Sequence, residues 1–461
     1  MFKWNTNNII DATGGRDVNG CNWIHSSNIS TDTRSIKKGD LFIALKGKNF
    51  DGHNFLHEAF LKGAVAAIVS EGKYKSFPLM IVQDTLKALH DMASYYIRNV
   101  LIDAKVIAVT GSVGKTTTKD MLHTVLSQYG VSHANEGNLN NNIGLPLTIL
   151  KAPKNCQYLI LEMGMNKAGE IKELSKISNP NIAVITNIEP AHTENFSSLF
   201  DVAQTKLEVL YGMKNNGTLI LNRDNKYYDY LSSRANRNVI SFGKDKNAEV
   251  CLLNLIRNNE SSTGFHLKIR LSDNQIINCN LRVQGEHFAY SLLAVAAVVQ
   301  SLGLDLSKLP LALKNFSVAK GRGNIHKVKC NRKYIHLIND SYNASPASMK
   351  TAIKTLSTYS NQRKVALLGD MLELGDESIK FHTDLVKVIT ENNVDKVYTV
   401  GKFMLELHEL LPDNMRGAHF NDSNQLKSNL ADIIQNNDAI LVKGSRGMKM
   451  DLIIQEFIIE Y

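Results

Sequence analysis

One short stretch constrains this chain more than any other. Thr110-Gly111-Ser112-Val113-Gly114-Lys115-Thr116-Thr117 follows an apolar run at 106–110 and leads into helical spacing from Thr116. Glycines between a strand and a helix let successive backbone N–H groups curl around phosphate oxygens, and the helix N-terminus adds its partial positive charge. In such a loop Lys115 reaches the terminal phosphates and the Thr116 hydroxyl ligates Mg²⁺, with Gly111, Ser112, Val113, Gly114 and Thr117 completing the cradle. The spacing departs from the full phosphate-loop pattern at Val109, which stands where a first glycine would be. A plain tight turn is the bland alternative. The GKT order and the flanking elements favour ATP or GTP.

Around that loop, short apolar runs alternate with helical stretches, the pattern of parallel sheets with crossover helices. A chain of 461 residues exceeds one ordinary domain. Residues 1–84, with candidate strands at 41–45, 66–69 and 80–82, form a first block. Residues 85–313 open with a helix at 86–100 and continue through the phosphate loop to strands at 158–162, 182–186 and 218–221. Within them, 249–283 alternates apolar and polar residues, as antiparallel strands added to a sheet do, before a helix at 288–302. Residues 314–461 repeat strand–helix units at 335–338, 365–368, 397–400 and 440–442, a second doubly wound sheet. The expectation is α/β with three domains: an N-terminal one, a central phosphate-loop parallel-sheet domain and a C-terminal Rossmann-like domain. The stretch 310–323, with its Pro and Gly residues, reads as the joint between the last two.

Composition removes several classes. Net charge is +9 and pI about 9.0, but Lys and Arg are spread without a dense block or interleaved aromatics, so no nucleic-acid partner is expected. The excess suits phosphate and carboxylate substrates equally well. Five scattered cysteines without a CxxC pair indicate reduced thiols rather than disulfides or zinc. No apolar stretch approaches the roughly 20 residues of a membrane span, and residues 1–10 lack the core of a signal peptide. A cytoplasmic protein without stable membrane insertion is expected, and nothing demands more than a monomer. A nucleotide switch is the rival from another class. It needs an NKxD-type base reader and a DxxG switch after the phosphate loop, and neither follows it.

Two acids and bases stand at informative places. Glu162 ends one strand and His192 follows another, and ligands of open α/β sheets gather at such carboxyl ends. Carboxylate oxygen suits Mg²⁺; a single loop histidine, taken alone, is more often structural. Leu199, Ala203, Lys206 and Leu210 fall on one helical stripe. Lys206 there either snorkels, the commoner outcome, or is partly buried with a lowered pKa and a nucleophilic amine.

At this point the chain resembles the Mur ligases, in order and over nearly its whole length. Asp32-Thr33-Arg34 with GDLFIALKG (39–47) resembles the family's uridine-nucleotide domain, TGSVGKTTTK its ATP loop, and GNLNNNIG (137–144) its substrate loop. LEMGMNKAGEI and the His192 loop resemble its magnesium positions. VAQTKLE (202–208) resembles the segment of its carbamylated lysine. DSYNA (340–344), LGDMLELG (368–375) and KGSR (443–446) resemble its C-terminal motifs. The resemblance implies Lys115, Lys206 and His192 as catalytic residues and two Mg²⁺ ions held by Thr116 and Glu162 and by His192 and carbamylated Lys206. It implies Arg322 and Asp340 as ATP contacts beside the loop, with adenine left to Ser291 or to backbone groups, and Thr33, Arg34, Lys46, Asn138, Asn140 and Asn141 as substrate contacts. One departure stands out: where the family has an HNxxN helix opening, this chain has Phe288 and Ser291 in place of the two Asn.

DSYNASPASM and LGDMLELGDES are closest to the dipeptide-adding branch, which implies ATP, UDP-N-acetylmuramoyl-tripeptide and D-alanyl-D-alanine as the partners. An amide ligase working through an acyl phosphate in cell-wall precursor synthesis is therefore expected. A sister ligase, folylpolyglutamate synthase and a non-ligase phosphate-loop switch are the alternatives. The DNPR motif of the ligase that adds the third residue is missing.

Overall fold

The computed structural model describes residues 2–18, 25–26, 28–47, 49–72, 76–190, 193–257, 264–330 and 333–458. These residues build three sheets. In the first, Ile29–Ser30, Leu41–Ile43, Ala66–Val69 and Leu79–Ile81 run parallel, and Arg16–Val18 closes one edge antiparallel. Every residue of Ala66–Val69 is buried, which is why that strand reads as a continuous apolar run and not as an alternation.

The central sheet has nine strands among the described residues. Lys105–Thr110, which feeds the phosphate loop, lies between Tyr158–Glu162 and Ile182–Ile185, with Val109 beside Glu162 and Thr110 beside Ile185. The chain reaches these two neighbours in opposite directions along the sheet. The crevice above their carboxyl ends is the place where such sheets bind ligands. Beyond Thr218–Asn222 and Asn238–Gly243, the strands Val250–Arg257, Phe265–Arg270 and Ile276–Leu281 form the expected antiparallel extension. In the last of these Ile277, Cys279 and Leu281 are buried and their neighbours exposed, the period of a half-covered strand. Helix His287–Ser301 is almost entirely apolar and packs into the core on this sheet.

Helix Thr85–Asn99 starts where the Asp84 carboxylate accepts from Lys87 N–H, a side-chain cap that satisfies one of the free donors of the first turn. Its buried face shares one continuous core with Leu41, Ile43 and Ile68 of the first sheet and Val106 and Leu159 of the second. The third sheet runs Asn324–Cys330, Lys333–Asp340, Ala439–Lys443, Lys364–Gly369, Lys396–Val400, Arg416–Phe420, with cores of its own on both faces.

Residues 310–323 divide unevenly. Leu309, Ala312, Leu313 and Phe316 are buried in the central core and Val318 packs against it, because their spacing puts them on one face of two short helical turns. Only 319–323 remain as a connection. The short or polar strands Arg16–Val18, Ile29–Ser30, Ser132–Ala134, Asn324–Cys330 and Arg416–Phe420 carry no apolar period and have no counterpart in the sequence expectation; neither has Asn238–Gly243. Among the described residues no helix is long and apolar enough to cross a membrane.

Candidate active site

The loop after Lys105–Thr110 is shaped by its neighbours. Gly111 has φ of 139° and faces Thr186, and a side chain there would run into the Thr186 hydroxyl oxygen. That hydroxyl donates to Val113 O at 2.6 Å, while Ser112 N–H donates to Asn187 O at 2.8 Å. Gly114, with φ of 82°, opens helix Lys115–Leu126, a left-handed turn that costs glycine little. Lys115 Nζ lies back over the loop and donates to Gly111 O at 2.7 Å and Ser112 O at 3.1 Å. Burial holds its ammonium below the ordinary lysine range, opposed by Glu162 and reinforced by Arg322.

Glu162 is 2% exposed. Its Oε1 accepts from Asn140 Nδ2 at 2.8 Å, whereas Oε2 is buried without a hydrogen-bond partner among the described residues. A buried carboxylate oxygen left without a donor is costly and suits a hard cation. Thr116, at the head of the loop helix, lines the same space. Among the described residues no group of three or more His, Cys, Asp or Glu could hold a metal ion.

Lys206, on helix Leu199–Leu207, does not snorkel: it is 2% exposed. Burial and then the charge of Lys115 push its ammonium well below the ordinary lysine value, against the pull of Glu162, Glu170 and Glu208. Those last two carboxylates are committed elsewhere. Glu208 accepts from Gly169 N–H at 2.8 Å and Lys172 N–H at 3.2 Å, and Glu170 accepts from Asn166 N–H at 2.6 Å. Among the described residues Lys206 forms no ion pair, so its amine is the kind that loses its proton readily.

The C-terminal sheet contributes the opposite wall. Asp340 ends Lys333–Asp340 directly beside Lys443 at the end of Ala439–Lys443. Lys443 Nζ donates to Asp340 Oδ2 at 2.6 Å and to Asn343 O at 2.9 Å. Burial raises the Asp340 pKa, with Lys443 and Arg322 opposing. The Arg322 guanidinium lies 4.2 Å from the centre of the Tyr342 ring, and that of Arg446 lies 5.6 Å from it.

Both walls enclose one cleft of about 1560 Å³, lined by Ser112–Thr117, Asn138, Asn140, Asn141, Glu162, Ser291, Arg322 and Asp340. Ser291 also accepts from the Thr118 hydroxyl at 3.2 Å, while Phe288 is buried in the core. Thr33, Arg34 and Lys46 do not line this cleft. They sit beside the N-terminal sheet, Thr33 and Arg34 in a short 3-10 turn and Lys46 just past Leu41–Ile43; there Arg34 clasps Asp32 at 2.6 Å and drives that carboxyl down to about 2, and Lys46 lies 3.7 Å from Asp51. His192 lies outside the described residues. Sequence reasoning missed Glu189, whose carboxyl is raised by burial, and the lining residues Asp224 and Gln284. No spacing pattern marks them. Lys443 was inside a quoted motif but without a role.

Comparison with known proteins gives a consistent result. The Mur ligase family, catalytic domain, matches residues 25–103, the Mur ligase middle domain 109–299, and the Mur ligase glutamate ligase domain 321–446. The chain is 39% identical over 443 residues to the UDP-N-acetylmuramoyl-tripeptide–D-alanyl-D-alanine ligase of Buchnera aphidicola subsp. Baizongia pistaciae, covering 95% of this chain and 93% of the relative. It is 37% identical to the protein of the same name from Bacillus subtilis, over 99% of both chains. A crystal structure of MurF from Acinetobacter baumannii superposes with a TM-score of 0.91 at 30% identity, covering 100% of both chains. That of MurF ligase from Thermotoga maritima in complex with ADP gives 0.82 at 28% identity, covering 94% of this chain and 97% of the other.

Proposed function

Because the chain belongs to the Mur ligase family, we propose that it joins D-alanyl-D-alanine to UDP-N-acetylmuramoyl-tripeptide at the expense of ATP, in the cytoplasmic synthesis of peptidoglycan precursor. One observation carries the chemistry. The phosphate loop, a buried carboxylate oxygen without a hydrogen-bond partner among the described residues, and Arg322 with Asp340 line one cleft between two sheets.

The γ-phosphoryl group of ATP passes to the tripeptide carboxylate, breaking its bond to the β-phosphate oxygen and forming an acyl phosphate with ADP as the leaving group. The amine of D-alanyl-D-alanine attacks the acyl carbon, phosphate leaves, and the amine gives up a proton. Such transfer depends on placement and charge neutralisation more than on covalent help from the protein. Lys115 supplies a fixed positive charge at the phosphates. Arg322 and Asp340 meet the nucleotide from the C-terminal side, with Ser291 on the helix behind the loop. Asn138, Asn140 and Asn141 hold the peptide end of the substrate, and Thr33, Arg34 and Lys46 its uridine end. Closing of the walls keeps water from the acyl phosphate.

Thr116 and Glu162 would hold one Mg²⁺, and His192 and Lys206 a second. When bound, these ions neutralise phosphate oxygens facing the attacking carboxylate. Lys206 serves as a ligand only if its charge is inverted. Its buried amine, once neutral, adds to CO₂ to give an N-carboxylate and one proton, turning a cation into an oxygen donor. The absence of an acid committed to Lys206 supports this reading, as does the lack of an acidic cluster among the described residues.

The test is phosphate release from ATP and Mg²⁺ with the two acceptors singly and together. Release that requires both, matched by UDP-muramoyl-pentapeptide, is the expected result. Equal release whatever the acceptors overturns the ligase assignment and leaves a phosphate-loop protein of another kind.

A further inference from the structure

Behind the cleft, a buried amide ties together three elements that the reaction needs in register. Asn135 follows the short edge strand Ser132–Ala134 and is 2% exposed. Its Oδ1 accepts from Glu162 N–H at 2.6 Å, and its Nδ2 donates to Leu139 O at 2.6 Å. Its own carbonyl accepts from Lys119 Nζ at 2.7 Å. Lys119 is 3% exposed, pairs with Asp120 at 2.7 Å and rides on the helix that begins at Lys115. Neither Asn135 nor Lys119 lines the cleft.

The bonds are arranged so that one side chain orients Glu162 twice. Asn135 fixes the Glu162 backbone directly. It also fixes Leu139, next to Asn140, whose Nδ2 holds Glu162 Oε1 at 2.8 Å and whose carbonyl accepts Gly164 N–H at 2.9 Å. What remains of the carboxylate is Oε2, which has no hydrogen-bond partner among the described residues. A short amide carries its donor and its acceptor on separate atoms, so it can bond in two directions at once; a hydroxyl has both on one atom, aspartate lacks the donor and leucine lacks both. We propose that Asn135, braced from behind by Lys119, is a positioning residue that sets the direction of the Glu162 carboxylate and the start of the 137–142 loop relative to the phosphate loop. This rests on the ligase assignment only for its kinetic arm.

The experiment titrates purified full-length protein with ADP by calorimetry, with EDTA and with Mg²⁺, for wild type and Asn135→Ala. ADP affinity in EDTA should be unchanged, since Lys115 and the loop amides are untouched. The tightening that Mg²⁺ gives wild type should shrink about tenfold, and kcat should fall about a hundredfold, the scale of an ångström-size misplacement. KM for ATP should change far less than kcat. An unchanged Mg²⁺ effect overturns the proposal, and so does equal loss of ADP binding with and without Mg²⁺, which marks a merely structural residue. If Asn135→Ala does not fold, Lys119→Met is read by the same two titrations against the same outcomes, with Lys119→Arg expected to restore most of the Mg²⁺ effect. Should wild type prove not to ligate, the binding arm still decides the positioning role.

Discussion

Replacing Lys443 with Met separates the electrostatics of the C-terminal wall from its packing. Lys443 is 1% exposed, and its ammonium is the ion-pair partner of Asp340, whose side chain is 23% exposed. Methionine keeps most of the volume but leaves the Asp340 carboxylate without its hydrogen-bonded counter-charge, with Arg322 the remaining positive charge nearby, and also leaves Asn343 O without its donor. Removing one partner of a buried pair costs about 3–5 kcal/mol, and the residual exposure of Asp340 argues for the lower end, about 3 kcal/mol. The pH dependence follows from the direction of the Asp340 shift. Its folded pKa is already raised by burial, so the folded state keeps a proton that the unfolded chain gives up, and stability falls as pH rises through that window. Without Lys443 the window extends further up. The difference between variant and wild type should therefore be larger at pH 8 than at pH 5, because it narrows as falling pH returns a proton to the raised carboxyl. Native-state hydrogen exchange of strand Ala439–Lys443, corrected for intrinsic rates, reads this locally, and about 3 kcal/mol corresponds to roughly a hundredfold faster exchange. A change under threefold, or one of equal size at both pH values, would refute the reasoning.

Three further outcomes are expected. Glu162→Gln should preserve ADP binding in EDTA and lower ligation on the order of a hundredfold, seen in phosphate release over a Mg²⁺ titration; full activity would remove Glu162 from the metal site. Lys206→Ala should abolish ligation without rescue by bicarbonate, and wild type labelled with ¹³C-bicarbonate should show a carbamate carbon signal that the variant lacks. Gly375→Ala places a Cβ at a φ of 63° and 3.1 Å from Glu194 Cα, against a backbone preference of roughly 1–2 kcal/mol. The contact between Glu194 N–H and Glu373 O at 3.3 Å should weaken and kcat should drop, with binding of the UDP substrate to the isolated ground state unchanged by calorimetry.

The parts that the sequence made legible are those whose chemistry is local. The phosphate loop is written in consecutive residues because one strand, one turn and one helix suffice to build it, and the structure moves its boundaries only from 106 to 105 and from 116 to 115. Glu162 is readable because it ends an apolar run. Lys206 shows the limit. Helical spacing puts it on an apolar stripe, but snorkelling and burial share that spacing, and only the tertiary burial of its helix, where Val202, Ala203 and Thr205 are buried too, decides for burial. Asn135 shows what spacing cannot carry at all. Its three partners lie at 119, 139 and 162, and nothing in its neighbourhood distinguishes a buried strut from an ordinary loop asparagine. Short edge strands escape for a related reason, since half-exposed residues such as those of Arg416–Phe420 lack the apolar alternation by which strands are recognised.

The five residues that link the two large cores, 319–323, include Arg322. They are stitched to the C-terminal sheet by Tyr342 N–H to Gly321 O at 3.0 Å and Gly323 N–H to Asn339 O at 2.8 Å. The joint thus carries the arginine proposed above to meet the nucleotide. Any swing of the C-terminal wall would therefore turn Arg322 with it, and a nucleotide held by Arg322 would resist that swing. Angle and occupancy would then be one mechanical coordinate, which lengthening the link by a few residues would split into two.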